Sequence, residues 1–417
     1  MQNLGRSYRR FLVFTFITCI SGSPASAQET IKLALIEPMS GPFAAVGTHA
    51  LHQFQYIAER INADGGVGGR TLEILSYDNK LSVQETVVSA QKAVDAGARY
   101  VLVGNGSGPG GAIQDFVTRY NERNPGKEVM YLNYSAEDPV LTNERCSYWQ
   151  FRWVPHTTMK MKALTSFIAK QPEIKKVYLI NQDYSLGQNS RESARLFLKD
   201  MRPDISIVGD ELHPLAKIND FAPYVAKIRA SGADSVITAN WGPDFALLLK
   251  ASGEAGLKVR WFTFFGAGPG GPTAIKQAGL SGQVSAIVEG YSNQPGADDA
   301  DFETDFRRRY AGYGWWYPRA RNTIDMMVAA MRQGGSTEPS KIAPLLEGMN
   351  FKGAYGPVLM RGEDHQGFND MYVVSLVPLK DGMKFDEEST GLGWQAVAPV
   401  PLSETVVDTT CKMKRPS

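Results

Sequence analysis

Short runs of apolar, largely β-branched residues alternate with stretches of helical period through the first two thirds of the chain, and the alternation begins twice. Residues 31–36 read as a strand, and Ala50, Phe54, Ile57, Ala58 and Ile61 mark one face of the helix that follows. Residues 72–77 form the next strand, Val83, Val87, Ala90 and Val94 repeat the helical stripe, and 100–103 and 129–133 are strands with a helix between them. Strands that are apolar throughout and joined by helices belong to a parallel sheet covered on both faces. The pattern restarts near 151–155. Residues 177–181, 205–211, 235–239 and 260–264 read as strands, separated by helices near 190–198, 221–230 and 245–255. The expected fold class is α/β, with two doubly wound, Rossmann-like lobes.

Three later features suit a chain that recrosses between lobes and so forms a hinge: a Gly/Pro/Asn segment at 290–296, helices around 302–310 and 323–331, and a turn-rich stretch at 353–367. Residues 28–152 with 290–356 are expected to build the N-terminal lobe. Residues 153–289 with 357–417 are expected to build the C-terminal lobe and a tail, weakly patterned after residue 384.

Residues 1–27 read as a signal peptide. Arg6, Arg9 and Arg10 are its basic region, 11–20 its apolar core, and Ala25-Ser26-Ala27 an A-x-A site with cleavage expected after Ala27. Ten apolar residues fall short of the ~20 that span a bilayer, so an exported, soluble chain is expected. Without the leader, 41 basic and 43 acidic side chains remain. Near-neutral charge with no basic block offers no footprint for nucleic acid phosphates. Of three cysteines, Cys19 leaves with the leader. Cys146 and Cys411 are expected to be bridged in an oxidising compartment, stapling the tail to the middle of the chain; two buried thiols are the alternative.

Gly106-Ser-Gly108-Pro-Gly-Gly111 fits G-x-G-x-x-G between a strand and a helix, and Gly266-Ala-Gly268-Pro-Gly-Gly271 fits it again in the second half. A dinucleotide fold places that motif after the first strand of a domain. Here the loops follow the third and fourth strands, in a chain exported away from nicotinamide pools, so no cofactor is expected. What such loops offer is general: glycines let backbone N–H groups approach a ligand, and the helix behind adds partial positive charge. Two lobes each presenting one loop beyond the carboxyl ends of their strands would close on a small anion or zwitterion. Tight turns that only pack helix on sheet are the plainer alternative.

Pro38-Met-Ser-Gly-Pro-Phe-Ala-Ala-Val-Gly47, Asn62-Ala-Asp-Gly-Gly-Val-Gly-Gly-Arg70, Asp78, Pro139-Val-Leu-Thr142 and Asp364-His-Gln366 resemble, in order and along the whole mature chain, the periplasmic leucine/isoleucine/valine-binding protein family. The resemblance implies the type I periplasmic binding fold with a three-strand hinge, one small ligand in the cleft, hinge closure, and delivery to an ABC permease in the inner membrane. It implies a periplasmic monomer without catalysis. A ligand-sensing module that presents its closed form to a receptor shares these features.

The family's ligand positions map onto this chain as follows. Ser107, with Gly106 and Gly108, matches the loop that holds the ligand carboxylate, and Ser135, Ala136 and Glu137 match the next loop, with Glu137 where relatives place a Thr. Leu186 stands where an aromatic usually precedes Gly187, with Tyr184 nearby, and Asn240 and Trp241 stand where a wall is expected. The loop beginning Gly266-Ala267 lacks the acid that amino-acid binders tend to carry there. Either Glu137 or Asp244 then meets a ligand ammonium, or the ligand has none. Phe265, Trp241 and Tyr184 suit an apolar or aryl side chain. A branched-chain amino acid is the first expectation, an aromatic or other organic acid the second.

Other signals carry less. His49 and His52 lie three apart on a helix, but no Cys or third His accompanies them, so solvated or capping roles are expected and no metal site. Arg307, Arg308 and Arg309 read as an exposed helix face. The aromatic turn Gly312-Tyr-Gly-Trp-Trp-Tyr-Pro318 reads as lobe packing or surface. No G-x-S-x-G elbow follows a strand, which removes one route to hydrolysis.

Overall fold

Apart from Met1, the computed structural model describes residues 30–296 and 300–416. The leader, Cys19 and the expected cleavage site lie outside the described residues.

The first sheet holds β1 (Thr30–Glu37), β2 (Thr71–Asp78), β3 (Tyr100–Leu102), β4 (Met130–Asn133) and β5 (Gln150–Arg152), all parallel, in the order β2-β1-β3-β4-β5. Helices α1 (Ala44–Ala63), α2 (Val83–Asp95) and α3 (Ser107–Arg123) connect them. The period of two along each strand explains the unbroken apolar runs. Leu33, Leu35, Leu102 and Leu132 pack to one side with Phe54 and Ile57, while Ala34, Ile36, Val101 and Tyr131 pack to the other with Ala90, Ile113 and Val117.

The second lobe repeats the arrangement. After α4 (Thr157–Ala169), strands β6 (Lys176–Gln182), β7 (Ser206–His213), β8 (Ser235–Thr238), β9 (Arg260–Thr263) and β10 (Val284–Val288) run parallel, with α5 (Ser185–Met201), α6 (Ala222–Ala230), α7 (Pro243–Glu254) and α8 (Gly271–Gln277) between them. The chain then returns to the first lobe as α9 (Ala300–Arg309), α10 (Pro318–Gly334) and α11 (Pro339–Leu346), whose apolar faces join the Leu33–Leu132 core. A small antiparallel sheet follows, β11 (Asn350–Gly353), β12 (Gly356–Met360) and β13 (Gly367–Phe368). Finally β14 (Met371–Pro378) and β15 (Leu392–Val400) add antiparallel strands to the second sheet, giving β15-β14-β10-β9-β8-β6-β7. The weakly patterned tail therefore contains a nine-residue strand. Its alternation is broken by Gly393 and Pro399, and it lies at the sheet edge with one face exposed.

In both sheets the parallel part follows one order: second, first, third, fourth, fifth strand. Chains wound this way leave a crevice where the winding reverses, outside the carboxyl ends of the strands. The crossings between lobes are held by Arg152, whose buried guanidinium donates to Gln366 Oε1 (2.7 Å), Asp138 O (2.6 Å) and Thr142 Oγ1. The Asp364-His-Gln366 motif thus serves the hinge, with the His365 ring stacked on Phe151 at 3.9 Å. A disulfide joins Cys146 to Cys411.

Candidate functional site

The carboxyl ends of both sheets converge on one cavity between the lobes. Its walls are Gly104–Ser107 after β3, Ser135 and Glu137 after β4, Tyr184 and Leu186 after β6, Trp241 after β8, Phe265 after β9, and Trp316 ahead of α10. Cross-lobe contacts close its rim: the Phe43 ring, from the first-lobe segment 38–47, lies 4.2 Å from Trp241, and Asn189 donates to Asp138 Oδ1 at 3.3 Å. Trp241 Nε1 donates to Tyr184 Oη at 2.7 Å, fixing both rings. The walls leave room for about one water molecule, so a ligand enters only when the lobes part.

The first glycine loop sits at the crevice because Gly106, at φ 93°, turns the chain from β3 into α3 through a region that L side chains avoid. A Cβ there would also come within 2.9 Å of Leu81. Behind the loop, Glu37 at the end of β1 accepts from Gly104 N (2.6 Å), Asn105 N (3.2 Å) and Tyr134 Oη (2.5 Å). Burial pushes its carboxyl up to about 7 despite those donors. Ser107, at the first turn of α3, keeps its Oγ buried without a hydrogen-bond partner among the described residues. A buried unpaired hydroxyl facing a cavity at a helix N-terminus is a place for an anionic ligand oxygen.

Glu137 faces the same cavity from the next loop. Its Oε1 accepts from Lys160 Nζ at 2.6 Å, while Oε2 is buried and unpartnered among the described residues. Lys160 also lies 3.5 Å from Glu289, which pairs with Arg319 at 2.8 Å. Arg319 in turn donates to Tyr134 O and Ser135 Oγ. All four charged groups are nearly excluded from solvent. Glu137 and Arg319 belong to the first lobe, Lys160 and Glu289 to the second. Burial raises the Glu137 carboxyl above its ordinary range against the Lys160 and Arg319 charges. Burial acts on Glu289 in the same direction, but there Arg319 and Lys160 win and hold it below that range.

The structure brings Gly106, Ser107, Ser135, Glu137, Tyr184, Leu186 and Trp241 to this cavity. Five other residues read as site residues from the sequence lie outside its lining. Ala136 and Asn240 alternate with neighbours that face it. Ala136 packs toward Gly110, and Asn240 turns to His213 Nε2 at 2.8 Å. Gly108 lies past the turn, beside Val83. Gly266 and Ala267 belong to a loop whose helix end is already filled: the Glu388 carboxylate accepts from Gly270 N (2.6 Å), Thr273 N (2.9 Å) and Thr273 Oγ1 (2.6 Å). The anion at the second glycine loop is the protein's own. Asp244, the other acid considered for an ammonium, accepts through Oδ2 from Gln182 Nε2 (2.8 Å) and Ala216 N (2.9 Å); its Oδ1 is unpartnered among the described residues, but Asp244 does not line the cavity.

Three wall residues escaped the sequence reading. Gly104 and Asn105 follow β3 directly, and their position at a strand end was the available signal. Trp316 lies in the aromatic turn and carried no periodicity. Two expectations away from the cavity are also corrected, at Arg307 on α9 and His49 on α1. The Arg307 guanidinium is not on an exposed face; it pairs with Glu303 and Glu387, while Arg308 and Arg309 are exposed. His49 is buried against Gly314 O at 2.6 Å, and burial lowers it to about 4.

A model of periplasmic binding proteins matches residues 30–382. The "Leu/Ile/Val-binding protein homolog 4" of Brucella abortus (strain 2308) is 31% identical over 417 residues, with 95% of this chain and 96% of that one covered. Among solved structures, the leucine-, isoleucine-, valine-, threonine-, and alanine-binding protein from Brucella ovis, in a closed conformation, superposes with a TM-score of 0.83 at 29% identity, covering 93% of this chain and 100% of that one. A solute binding protein of an ABC transporter from Rhodopseudomonas palustris BisB5, in complex with 3,4-dihydroxy benzoic acid, gives 0.75 at 18% identity over 89% and 98%. That last likeness speaks to the fold alone.

Proposed function

Since this chain belongs to the periplasmic binding protein family, we propose that its inter-lobe cavity captures a small carboxylate, foremost an amino acid with an apolar branched side chain, and that the closed form is handed to an ABC permease. It is a binding protein and not an enzyme. The observation that carries the ligand class is two of the three unpartnered buried side-chain atoms among the described residues of the cavity lining, Ser107 Oγ and Glu137 Oε2, with Asn105 Nδ2 as a further donor. The first, at a helix N-terminus, complements a carboxylate; the second, on a carboxylate, complements an ammonium. Glu137, Lys160, Glu289 and Arg319 sum to zero charge, and a zwitterion leaves that sum unchanged. Leu186, Tyr184, Trp241, Phe265 and Trp316 supply the apolar wall for the side chain.

A thermal-shift series tests this, because a ligand that binds only the folded state at about 100 times its Kd adds ~2.7 kcal/mol of stability. Leucine, isoleucine and valine are expected to raise Tm, with 4-methylpentanoate weaker. A response to des-amino acids alone overturns the amino-acid reading. The second reading, an aryl carboxylate, is favoured by the four rings on the wall and by the absence of an acid between Gly266 and Gly271. A phenolic hydroxyl can donate to Glu137 Oε2 as an ammonium does, so 4-hydroxybenzoate active with leucine inactive would establish it. The working form is proposed to be a periplasmic monomer beginning at Gln28, which N-terminal sequencing and light scattering of the exported protein check.

A further inference from the structure

We propose that Lys160 is a positioning residue through which closure of the lobes makes Glu137 an ammonium acceptor; this rests on the amino-acid reading above and adds how the acceptor is assembled. Glu137 is carried by the first lobe, on the loop that Arg152 pins to the hinge. Lys160 is carried by the second lobe, on α4, where it shares a face with Ala163, Leu164 and Phe167 at helical spacing. Lys160 itself does not line the cavity. Its ammonium reaches one oxygen of Glu137 from behind at 2.6 Å, with the rest of its charge toward Glu289 and its Nζ 5.3 Å from the centre of the Phe265 ring. One oxygen is thereby held and the other is left without a partner among the described residues, on a side chain that lines the cavity.

The arrangement matters because a carboxylate excluded from water tends to take up a proton, and a protonated carboxyl no longer pairs with an ammonium. The groups facing Glu137 are Lys160 from α4, Arg319 from α10, Arg152 from β5, Glu289 after β10 and Tyr184 after β6. Glu289 opposes ionisation, Tyr184 adds no positive charge, Arg319 is paired with Glu289, and Arg152 is turned to Gln366, Thr142 and backbone carbonyls. Lys160 is the one cation among them hydrogen-bonded to Glu137 itself. On this proposal that bond breaks when the lobes part, together with the contacts of Thr157 N (3.0 Å) and Thr157 Oγ1 (2.9 Å) at the start of α4 to Glu137 O. The acceptor for an ammonium is then complete only in the closed form, so the ammonium is checked at closure and not at first encounter.

The experiment is calorimetric titration of leucine and of its des-amino counterpart, 4-methylpentanoate, into the wild type, K160M and K160R between pH 6 and 9. In K160M, leucine affinity is expected to fall at least about tenfold at neutral pH and to recover as pH rises and Glu137 deprotonates, whereas 4-methylpentanoate should change by no more than about twofold. K160R, which keeps the charge, should hold leucine binding near the wild-type level with a flat pH profile. If K160M does not fold, K160Q, which retains a donor to Glu137 without the charge, is read the same way. Equal weakening of both ligands, or a leucine deficit that ignores pH, overturns the inference while leaving the amino-acid reading intact. A wild type that binds 4-methylpentanoate and not leucine overturns both.

Discussion

The two glycine loops of this protein share a sequence pattern, one after the third strand of its lobe and one after the fourth, yet their donors are satisfied in different ways. Each fits G-x-G-x-x-G, follows a parallel strand and leads into a helix. The first is braced from behind by Glu37, which takes the N–H groups of Gly104 and Asn105 and leaves Ser107 unpaired toward the cavity. The second is filled from the front by Glu388, which reaches from the β14–β15 connection and takes the donors at the start of α8. The pattern therefore marks a turn able to hold an anion. Whether that anion comes from solution or from the chain is decided more than a hundred residues away.

Substitution of the two bracing carboxylates and the free hydroxyl should separate these roles. The largest effect belongs to Glu37. Its carboxyl is raised in the folded protein to about 7 from an ordinary 4.5, so between those values the folded state holds a proton that the unfolded state has released. Stability from this group is full below the lower value and declines as pH rises through the upper one, by on the order of 3 kcal/mol. Denaturant titrations of the wild type and Glu37→Gln across pH 4 to 8 should diverge by that amount; parallel profiles would sink the assignment.

Next in size is Ser107→Ala. Losing a hydrogen bond to a charged ligand oxygen costs about 1.5–3 kcal/mol, or roughly ten- to a hundredfold in Kd. Folding stability without ligand should be unchanged or slightly higher, because the hydroxyl has no protein partner to lose. Unaltered affinity would remove Ser107 from the site.

The smallest effect is expected for Glu388→Ala, which uncaps α8. A lost N-terminal carboxylate cap costs about 1 kcal/mol of stability, read as a lowered denaturation midpoint, with ligand affinity within twofold of the wild type. A large loss of affinity would show that the second loop serves the ligand after all.

These contrasts also explain how much of the molecule was legible in its sequence. Strands buried on both faces leave no polar register to blur them, so β1, β3, β4, β6, β8 and β9 stood out as apolar runs, and the partly exposed edge strands β2 and β7 were still legible from their apolar residues. β10 and β14, although mostly buried, were not read as strands, nor was β15 at the sheet edge. β15 exposes Gln395, Val397 and Pro399 on one face and carries Gly393, so it reads as tail. At the site, strand-end positions were visible, but not which of them face the cavity: Trp241 does and Asn240 does not, whereas all of Gly104–Ser107 do.

The buried charges had a signal that went unused. Lys160 occupies the apolar stripe of α4, and Arg319 shares a face of α10 with Asn322, Thr323 and Met326. A cation in a core stripe implies a buried anion elsewhere. Which anion, and that it sits on the other lobe, depends on contacts between segments far apart in sequence.

The disulfide alters how the two lobes can move. After β15 the chain is pinned to the second lobe where Lys162 donates to Val406 O (2.7 Å), and within a few residues to the first, where Thr409 Oγ1 donates to Thr142 O (3.0 Å) and Cys411 is bonded to Cys146. A strip of hinge strands alone yields to torsion as readily as to flexion. A covalent leash beside it, too short to be paid out far, resists torsion and limits how wide the jaws swing. Any opening of the lobes beside this leash has to be accommodated by the few residues between Val406 and Thr409.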